Sequence, residues 1–276
     1  MQKTYKYRLY PTRKQRQKLE ATLSLCRLLY NSCLLDRKQY YQQTGKGLGY
    51  IQQAAILTKD KSLHPSLKEV HSQVLQDVLK RVDRAYTNFF RRLKEKKEKN
   101  GKAGYPRLKG ENRYDSFTYP QQPGFQLTQS GLKLSKIGTI KIKEHRPLKG
   151  IIKTCTIKRD IDRWYACFAV EVAAKPKPKP KLQQPKTAVG IDVGLNSFAV
   201  LSDGTVIDNP RHLKHSENRL AFIQRKHTKK ASRSKNRKRY QLKVGKLHRK
   251  IREQRQDFQH KVSKVIVNKY DLIAIE

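Results

Sequence analysis

Two acidic residues lie beside apolar segments, where a charged side chain needs an explanation. Asp192 lies between Ile191 and Val193, and Glu276 directly follows the apolar residues 272–275. Burying a carboxylate there is costly unless a cation or a metal ion compensates its charge. Carboxylates on neighbouring strands are the hard oxygen ligands that Mg²⁺ or Mn²⁺ prefers, and two such ions about 4 Å apart support phosphodiester hydrolysis. One interpretation of this pattern is that Asp192 and Glu276 are metal ligands and catalytic residues.

The same two acids also admit a simpler interpretation. Asp192 could cap the turn that begins at Gly194, and Glu276 could be the exposed end of a strand. Under that interpretation neither carboxylate binds a metal ion. The spacing of the residues leaves both interpretations open.

The net charge of the chain indicates the kind of partner. The 276 residues include 63 Lys and Arg against 22 Asp and Glu, a formal net charge of +41. Repulsion of this size is tolerated when a polyanion neutralises it, so nucleic acid is the expected partner. A membrane is disfavoured, because no apolar run approaches about 18 residues. The N-terminal residues lack the apolar core of a signal peptide, so we expect a soluble, cytoplasmic, nucleoid-associated protein.

The four cysteines are predicted to be small buried residues. Cys26 and Cys33 are seven positions apart and Cys155 and Cys167 twelve, so no C-x-x-C pair occurs. This spacing does not match a zinc site, and an intracellular chain has little use for disulfides. Burial as a small apolar side chain is the remaining role.

The N-terminal region predicts a strand followed by helices. Residues 4–9 alternate apolar and basic side chains, which is typical of a strand, and Thr12 is a suitable helix N-cap. The next helix has one apolar stripe, formed by Leu19, Leu23, Cys26, Tyr30 and Cys33. A second long helix is predicted after residues 64–66, with a stripe formed by Leu67, Val70, Val74, Val78, Val82, Ala85, Phe89 and Leu93. We assign residues 11–103 to a helical domain.

From residue 104 the pattern changes to short strands separated by Gly and Pro. Strands are predicted at 131–135, 138–143, 151–159 and 164–172. They favour a small β-barrel formed by residues 104–174 together with residues 1–10. The Lys/Pro run within residues 175–187 predicts an extended linker at a domain boundary.

Residues 188–276 combine apolar strands with a very basic helical region. The strands are predicted at 188–193, 197–201, 205–207 and 272–276. Residues 211–264 contain 20 Lys and Arg and only three acids. A helix stripe within and just beyond this range is formed by Val244, Leu247, Ile251, Phe258, Val262 and Val265. We predict a basic helical insertion at 211–270, folded as a hairpin with its tip near 231–236. Beside the tip, Arg237, Lys238 and Arg239 are predicted to bind phosphates. The whole pattern indicates an α+β protein of several domains.

Several motifs, taken in order, resemble those of TnpB (OrfB) proteins, which insertion sequences encode and which are related to type V CRISPR effectors. Residues 190–204 resemble the first nuclease motif of that family, and residues 273–276 resemble the second. Residues 255–260 resemble the helix that leads into the second motif. Further matches lie at residues 3–11 with the helix that follows, at 87–90 and at 104–107. The resemblance extends over essentially the whole chain.

The resemblance implies a transposon-associated, RNA-guided and metal-dependent DNA endonuclease of a bacterium or archaeon. It implies a helical recognition domain, a wedge-type β-barrel and, at residues 188–276, a partial RuvC-like nuclease domain with an RNase H fold. By motif match Asp192 and Glu276 are two of three catalytic ligands for Mg²⁺ or Mn²⁺. The implied partners are a guide RNA transcribed from the end of the element and a double-stranded DNA target.

The chain departs from the family pattern at its C-terminal end. The family continues into a zinc ribbon with paired C-x-x-C motifs and a third motif that supplies the last catalytic Asp. Neither follows Glu276 here, and the zinc ligands are absent from this sequence. We therefore expect a C-terminally truncated form that binds metal weakly and is inactive alone.

The resemblance also places four polar residues where relatives contact the short motif beside the DNA target. These residues are Tyr50, Gln76, Thr118 and Tyr119. A glutamine can pair with adenine through two hydrogen bonds, and a tyrosine can stack on a base. Gln76 could equally be a solvated position on a helix.

Two other functions remain open. A non-catalytic remnant could bind guide RNA and target DNA without cutting. An ATPase of the sugar-kinase and actin type also begins with Gly-Ile-Asp-x-Gly, but Leu195 and Asn196 replace the Thr/Ser residues that would contact phosphate, and the charge of +41 is unsuited to such an enzyme.

Overall fold

The computed structural model describes residues 1–96, 103–111, 113–173 and 187–276. The chain divides into two compact units, Met1–Lys175 and Pro176–Glu276. Most of the predicted linker at 175–187 lies outside the described residues. Within the described ranges, no helix combines the length and the apolar character that crossing a bilayer requires.

The first unit begins with a strand and a bundle of helices. Its elements are β1 (Gln2–Tyr10), α1 (Arg13–Thr44), α2 (Tyr50–Leu63), a 3₁₀ helix (Pro65–Glu69) and α3 (Ser72–Lys96). Thr12 caps α1 as predicted, because its side chain accepts a hydrogen bond from the N–H of Gln15. The five residues of the predicted α1 stripe are all buried. The sequence pattern therefore identified both the cap and the buried face of this helix.

The predicted second helix begins later than its apolar stripe suggested. Leu67 and Val70 are buried, but they belong to the 3₁₀ helix and to an extended residue after it, so α3 starts at Ser72. Pro65 fixes one backbone angle at the start of this segment. The predicted apolar stripe therefore extends across two elements, the 3₁₀ helix and α3. The separate helix α2 was not predicted.

The remaining elements of the first unit are strands. They are β2 (Ser116–Tyr119), β3 (Phe125–Thr128), β4 (Gly131–Leu134), β5 (Gly138–Lys143), β6 (Ile151–Asp160) and β7 (Arg163–Glu171). All seven strands form one antiparallel sheet in the order β2-β6-β7-β1-β5-β4-β3. β1 lies between β7 and β5, so the N-terminal strand joins the strands of residues 104–174, as predicted. β2 and β3, which were not predicted, form the two edges.

One hydrophobic core joins the helices and the sheet of the first unit. It includes Leu19 and Val74 from the helices and Phe117 and Trp164 from the sheet. Because both parts share this core, the division into a helical domain and a β-domain stays a prediction. Three cysteines are buried as predicted, and Cys167 is partly exposed.

The second unit is a small mixed sheet with a long helical hairpin. Its elements are β8 (Ala188–Asp192), β9 (Ser197–Leu201), β10 (Val206–Asp208), α4 (His212–Thr228), α5 (Lys235–Lys269) and β11 (Leu272–Ile275). The strand order is β10-β9-β8-β11. α4 and α5 pack through a core of Leu220, Leu247 and Ile251. The stripe prediction was wrong at Val265, which is 65% exposed, while its neighbour Ile266 is buried.

Candidate metal centre and nucleic-acid interface

The two candidate metal ligands lie at the same end of two paired strands. β11 runs parallel to β8, with Ile275 opposite Ile191. The N–H of Glu276 then donates to the carbonyl oxygen of Ile191 at 3.1 Å. This bond extends the hydrogen-bonded pairing of β11 and β8 by one residue beyond Ile275 and Ile191. Glu276 therefore lies opposite Asp192 in the register of the two strands. The predicted parallel pairing of these two strands is confirmed.

Alternation along β8 places the Asp192 side chain away from the core of the unit. Val189 and Ile191 are buried with Ile266 of α5. Since successive side chains of a strand point to opposite faces, Asp192 is on the face opposite to α5. Both Asp192 and Glu276 are exposed. Solvent and a substrate can therefore reach the two carboxylates.

Two other acids near this sheet are engaged in structural contacts. Asp203, in the turn after β9, accepts hydrogen bonds from the hydroxyl of Tyr270 and from Lys269 Nζ, the latter at 3.0 Å. These bonds, that from Tyr270 foremost, lower the pKa of Asp203. The carboxylate of Asp271 accepts hydrogen bonds from Thr187. The sequence did not reveal this role of Asp203, because its partners Lys269 and Tyr270 lie far along the chain.

The chemistry of the Asp192–Glu276 edge fits a hard divalent cation. Two carboxylates offer the oxygen ligands that Mg²⁺ and Mn²⁺ prefer. Across the described residues, no group of three or more His, Cys, Asp or Glu side chains is placed to hold a metal ion. The edge is thus a pair of candidate ligands, and any further ligands would be water or substrate oxygens.

The basic hairpin presents its cations to solvent. Of the 20 Lys and Arg residues at 211–264, all but Lys230, Arg237 and Arg249 are exposed. Arg249 is 5% exposed and lies 3.9 Å from Glu253. The surface of this hairpin therefore has a strongly positive electrostatic potential, which favours binding of a polyanion.

The three cations predicted to bind phosphates do not have equal environments. Arg237 Nη1 donates to the carbonyl oxygen of Lys230 at 2.8 Å, which connects α5 to the end of α4 across the tip. Lys238 and Arg239 are exposed. Arg237 thus has a structural role in the tip that the sequence did not reveal.

The four candidate DNA-contacting residues are spread over the first unit. Tyr50 begins α2, and Gln76 is exposed on α3. The Thr118 hydroxyl accepts a hydrogen bond from Arg81 Nη2 at 2.8 Å. Tyr119 is 1% exposed, and its hydroxyl donates to the carbonyl oxygen of Ser135 at 3.0 Å. Tyr119 is therefore a core residue here, and the predicted DNA contacts of all four stay predictions.

Family models match both ends of the chain. Residues 167–276 match a model described as "Probable transposase", and residues 1–46 match one described as "Helix-turn-helix domain". Among curated relatives, the "Putative RNA-guided DNA endonuclease" of Streptomyces pristinaespiralis is 32% identical over 282 residues, covering 100% of this chain and 67% of the relative. The chain belongs to the TnpB (OrfB) family. Residues 1–46 of this TnpB (OrfB) protein form a strand and one long helix, β1 and α1, and not two helices joined by a turn.

A second curated relative of this TnpB (OrfB) chain is the "Putative RNA-guided DNA endonuclease InsQ" of Escherichia coli (strain K12). It is 29% identical over 274 residues, covering 99% of this chain and 65% of the relative. The chain thus spans about two thirds of the length of the curated relatives it matches.

A solved structure titled "Cryo-EM structure of the Cas12f1-sgRNA-target DNA complex" aligns with the TnpB (OrfB) chain at a TM-score of 0.45 and 13% identity. The alignment covers 100% of this chain and 81% of the other. A TM-score below 0.5 does not establish a common fold, so the family assignment rests on the sequence relatives.

Proposed function

We propose that this chain acts in RNA-guided, metal-dependent cleavage of DNA associated with a transposable element. The observation that carries the proposal is the parallel pairing of β8 and β11, which places Asp192 and Glu276 side by side on an exposed face. The family membership and the names of its relatives support the same activity. The guide RNA and the double-stranded DNA target are the proposed partners.

In this proposal the two carboxylates hold Mg²⁺ or Mn²⁺ at the end of the strands. The bound metal would activate water and stabilise the leaving oxygen of a phosphodiester. The protein contributes the fixed positions of the carboxylates, since both are attached to hydrogen-bonded strands. The exposed cations of the α4–α5 hairpin neutralise the nucleic-acid backbone, which binds whatever its sequence.

The proposal also assigns a role to each part of the chain. Residues 1–10 and 104–174 would form the wedge-type β-barrel, and residues 11–103 the helical recognition domain. Residues 188–276 would form part of a RuvC-like nuclease domain with an RNase H fold. The curled seven-stranded sheet and the mixed sheet with its helical insertion support this assignment.

Substitution of one carboxylate tests the proposed activity. In the presence of a C-terminal fragment that carries the zinc ribbon and the third Asp, Asp192→Asn should abolish Mg²⁺-dependent cleavage of a guide-matched DNA, because the metal loses a charged ligand. RNA binding in EDTA should stay unchanged. Asp208→Asn is the matched control, since Asp208 is exposed in β10 of the same sheet. Cleavage by the Asp192→Asn protein at the wild-type rate would show that the metal site lies elsewhere. Guide binding by the wild-type chain without any cleavage, even with that fragment present, would instead favour the non-catalytic binding function.

A further inference from the structure

Five aromatic rings of the first unit line one cavity of about 720 Å³. They are Tyr41 of α1, Tyr86, Phe89 and Phe90 of α3, and Tyr105 of the segment that follows α3. We name this cavity the aromatic cavity. Its volume and its mainly aromatic and apolar lining are typical of sites that bind a small organic group. No residue of the candidate metal centre or of the α4–α5 hairpin lines it.

Helical spacing brings the rings of the aromatic cavity together. Phe89 and Phe90 follow Tyr86 by three and four positions, so the three rings lie on the same face of α3. Tyr41 belongs to α1, which packs against α3. The buried side chain of Leu48, between α1 and α2, adds an apolar wall. The cavity is therefore built by ordered elements of the first unit.

The Tyr86 ring has a fixed position in the wall. It is buried, its hydroxyl forms a hydrogen bond with the Tyr105 hydroxyl, and the Arg37 guanidinium lies 5.1 Å from its ring centre. Arg37 is itself buried and pairs with Asp83 at 3.0 Å. The Tyr105 ring stands at 89° to the Tyr86 ring and at 75° to the Phe89 ring. Because these rings are already positioned, a ligand that binds them orders few side chains.

Three rings of the aromatic cavity are exposed to solvent. Tyr41 is 62% exposed, Phe90 54% and Tyr105 41%. Among the described residues two other aromatic side chains are exposed, Tyr10 and Phe222, and each lies beside a cation of its own element. Single exposed apolar side chains are ordinary, whereas a cluster of them marks a binding site. The aromatic cavity is such a cluster.

The charges beside the cavity indicate its occupant. Lys38 is exposed on α1 and lines the cavity together with Arg37, and no Asp or Glu of the described part of the chain lines it. A second copy of this chain would bring the same charge of +41, so repulsion disfavours it. Single-stranded nucleic acid offers the matching combination, because its bases stack on aromatic rings and its phosphates pair with cations.

We propose that the aromatic cavity binds an unpaired base of a single-stranded segment of RNA or DNA. The base stacks on an exposed ring, and Lys38 contacts a neighbouring phosphate. A base inside a duplex does not enter, because it is stacked and paired within the helix and would first have to leave it. The inference rests on the proposed function, which supplies a guide RNA and a target DNA as the two sources of such a base.

Two variants with matched substitutions test the aromatic cavity. The cavity variant carries Tyr41→Leu and Phe90→Leu, which remove two exposed rings and keep apolar side chains. The control variant carries Tyr10→Leu and Phe222→Leu, which remove the exposed rings outside the cavity. Circular dichroism and thermal melting of both variants establish that the fold is retained.

The probes are short single strands of RNA and of DNA, each with one 2-aminopurine base, whose fluorescence falls when it stacks on a ring. An excess of unlabelled duplex DNA occupies the surfaces that bind the backbone, and EDTA removes metal ions. The fluorescence change gives both the dissociation constant and the extent of stacking. Comparison of the two strands identifies whether RNA or DNA is the better source of the base.

The cavity variant should weaken binding of a single strand by at least about fivefold, the lower end of what one base–aromatic stack contributes. It should also lose most of the fluorescence change, while the control variant behaves like the wild type. Equal losses in the two variants would overturn the proposal. Unchanged affinity in the cavity variant would also overturn it, and would leave an acidic protein segment as the occupant.

Photo-crosslinking of the wild-type chain gives a second measurement that needs no variant. A single strand with one 5-iodouracil base, which crosslinks to nearby aromatic side chains on irradiation, should attach to Tyr41, Phe90 or Tyr105. Mass spectrometry of the digested product identifies the attached residue, and crosslinks confined to other residues would contradict the proposal. Because neither measurement includes metal, loss of cleavage in the Asp192→Asn test leaves these results unaffected, and the two proposals can fail separately.

Discussion

Glu276 donates its main-chain N–H to the carbonyl of Ile191 at 3.1 Å, and this single bond places it in register with Asp192. The two acids are far apart in the chain, with the three strands β9, β10 and β11 and the whole α4–α5 hairpin between them. α5 returns the chain to the edge of β8, so that β11 enters parallel to it. The long basic helix therefore determines where the second carboxylate lies.

This register predicts that Asp192 and Glu276 bind one metal ion together. Asp192→Asn and Glu276→Gln should each weaken Mn²⁺ binding by at least about tenfold, since each removes a charged oxygen ligand. The double variant should lose less than the two single losses combined, because the ligands act as a unit. Calorimetric titration with Mn²⁺ measures this, and Asp208→Asn serves as the control. Strictly additive losses would indicate two separate weak sites.

Arg81 connects α3 to the sheet of the first unit, and we predict that these contacts stabilise the fold. Its side chain lies 2.8 Å from Asp77, from the carbonyl oxygen of Ser116 and from the Thr118 hydroxyl. Arg81→Met should lower the free energy of unfolding by about 2–3 kcal/mol, because hydrogen bonds of a charged group are lost in a partly buried place. Urea unfolding followed by the fluorescence of Trp164 reports on this unit, since Trp164 is the single tryptophan of the chain and is buried.

The control for Arg81 is Arg91, which forms an exposed pair with Glu95 at 3.8 Å on the same helix. Arg91→Met should cost no more than about 0.5 kcal/mol, as is usual for exposed helix pairs. Similar losses for the two variants would mean that Arg81 acts through helix propensity and not through its contacts with β2.

The buried thiols should be unreactive in the folded protein. Burial raises the pKa of Cys26 and of Cys33 to about 12. At pH 8 only about one in ten thousand of such thiols is ionised, and the thiolate is the reactive form. Reaction with Ellman's reagent should therefore be slow for these two and become fast in urea. Cys167 is partly exposed, so Cys167→Ser should remove the fastest phase in the folded protein. Rapid modification of Cys26 without denaturant would contradict the packing of α1.

Asp203 should make the second unit sensitive to acid. Hydrogen bonds from Tyr270, Thr205 and Lys269 lower its pKa, so the ionised form favours the folded state. This contribution is present above the unfolded pKa of about 3.9 and is lost as the pH falls below it. Asp203→Asn should therefore melt below the wild type at pH 6, and the difference should shrink towards pH 3. Thermal melting by circular dichroism at both pH values measures this. A difference that stays constant with pH would show that the charge of Asp203 contributes nothing.

Periodic patterns in the sequence were sufficient to predict most individual elements. The alternation at residues 4–9 predicted β1, and the stripe from Leu19 to Cys33 predicted the buried face of α1. The run 188–193 and the apolar residues before Glu276 predicted β8 and β11. Such predictions succeed because strand and helix periods follow from local backbone geometry. The family resemblance likewise depends on residues in order along the chain, and relatives confirmed it.

Contacts between distant residues required the tertiary structure. The sequence could not show that Arg237 donates a hydrogen bond to the carbonyl oxygen of Lys230 across the hairpin tip. It also could not show that Arg81 donates one to the hydroxyl oxygen of Thr118. It also could not distinguish Asp203, which is held by Tyr270 and Lys269, from Asp192, which stays exposed on its strand. In a sequence, these acids and cations cannot be told apart. The role of each depends on which partner the folded chain brings within hydrogen-bonding distance. Packing between elements decides that partner, and local periodicity does not.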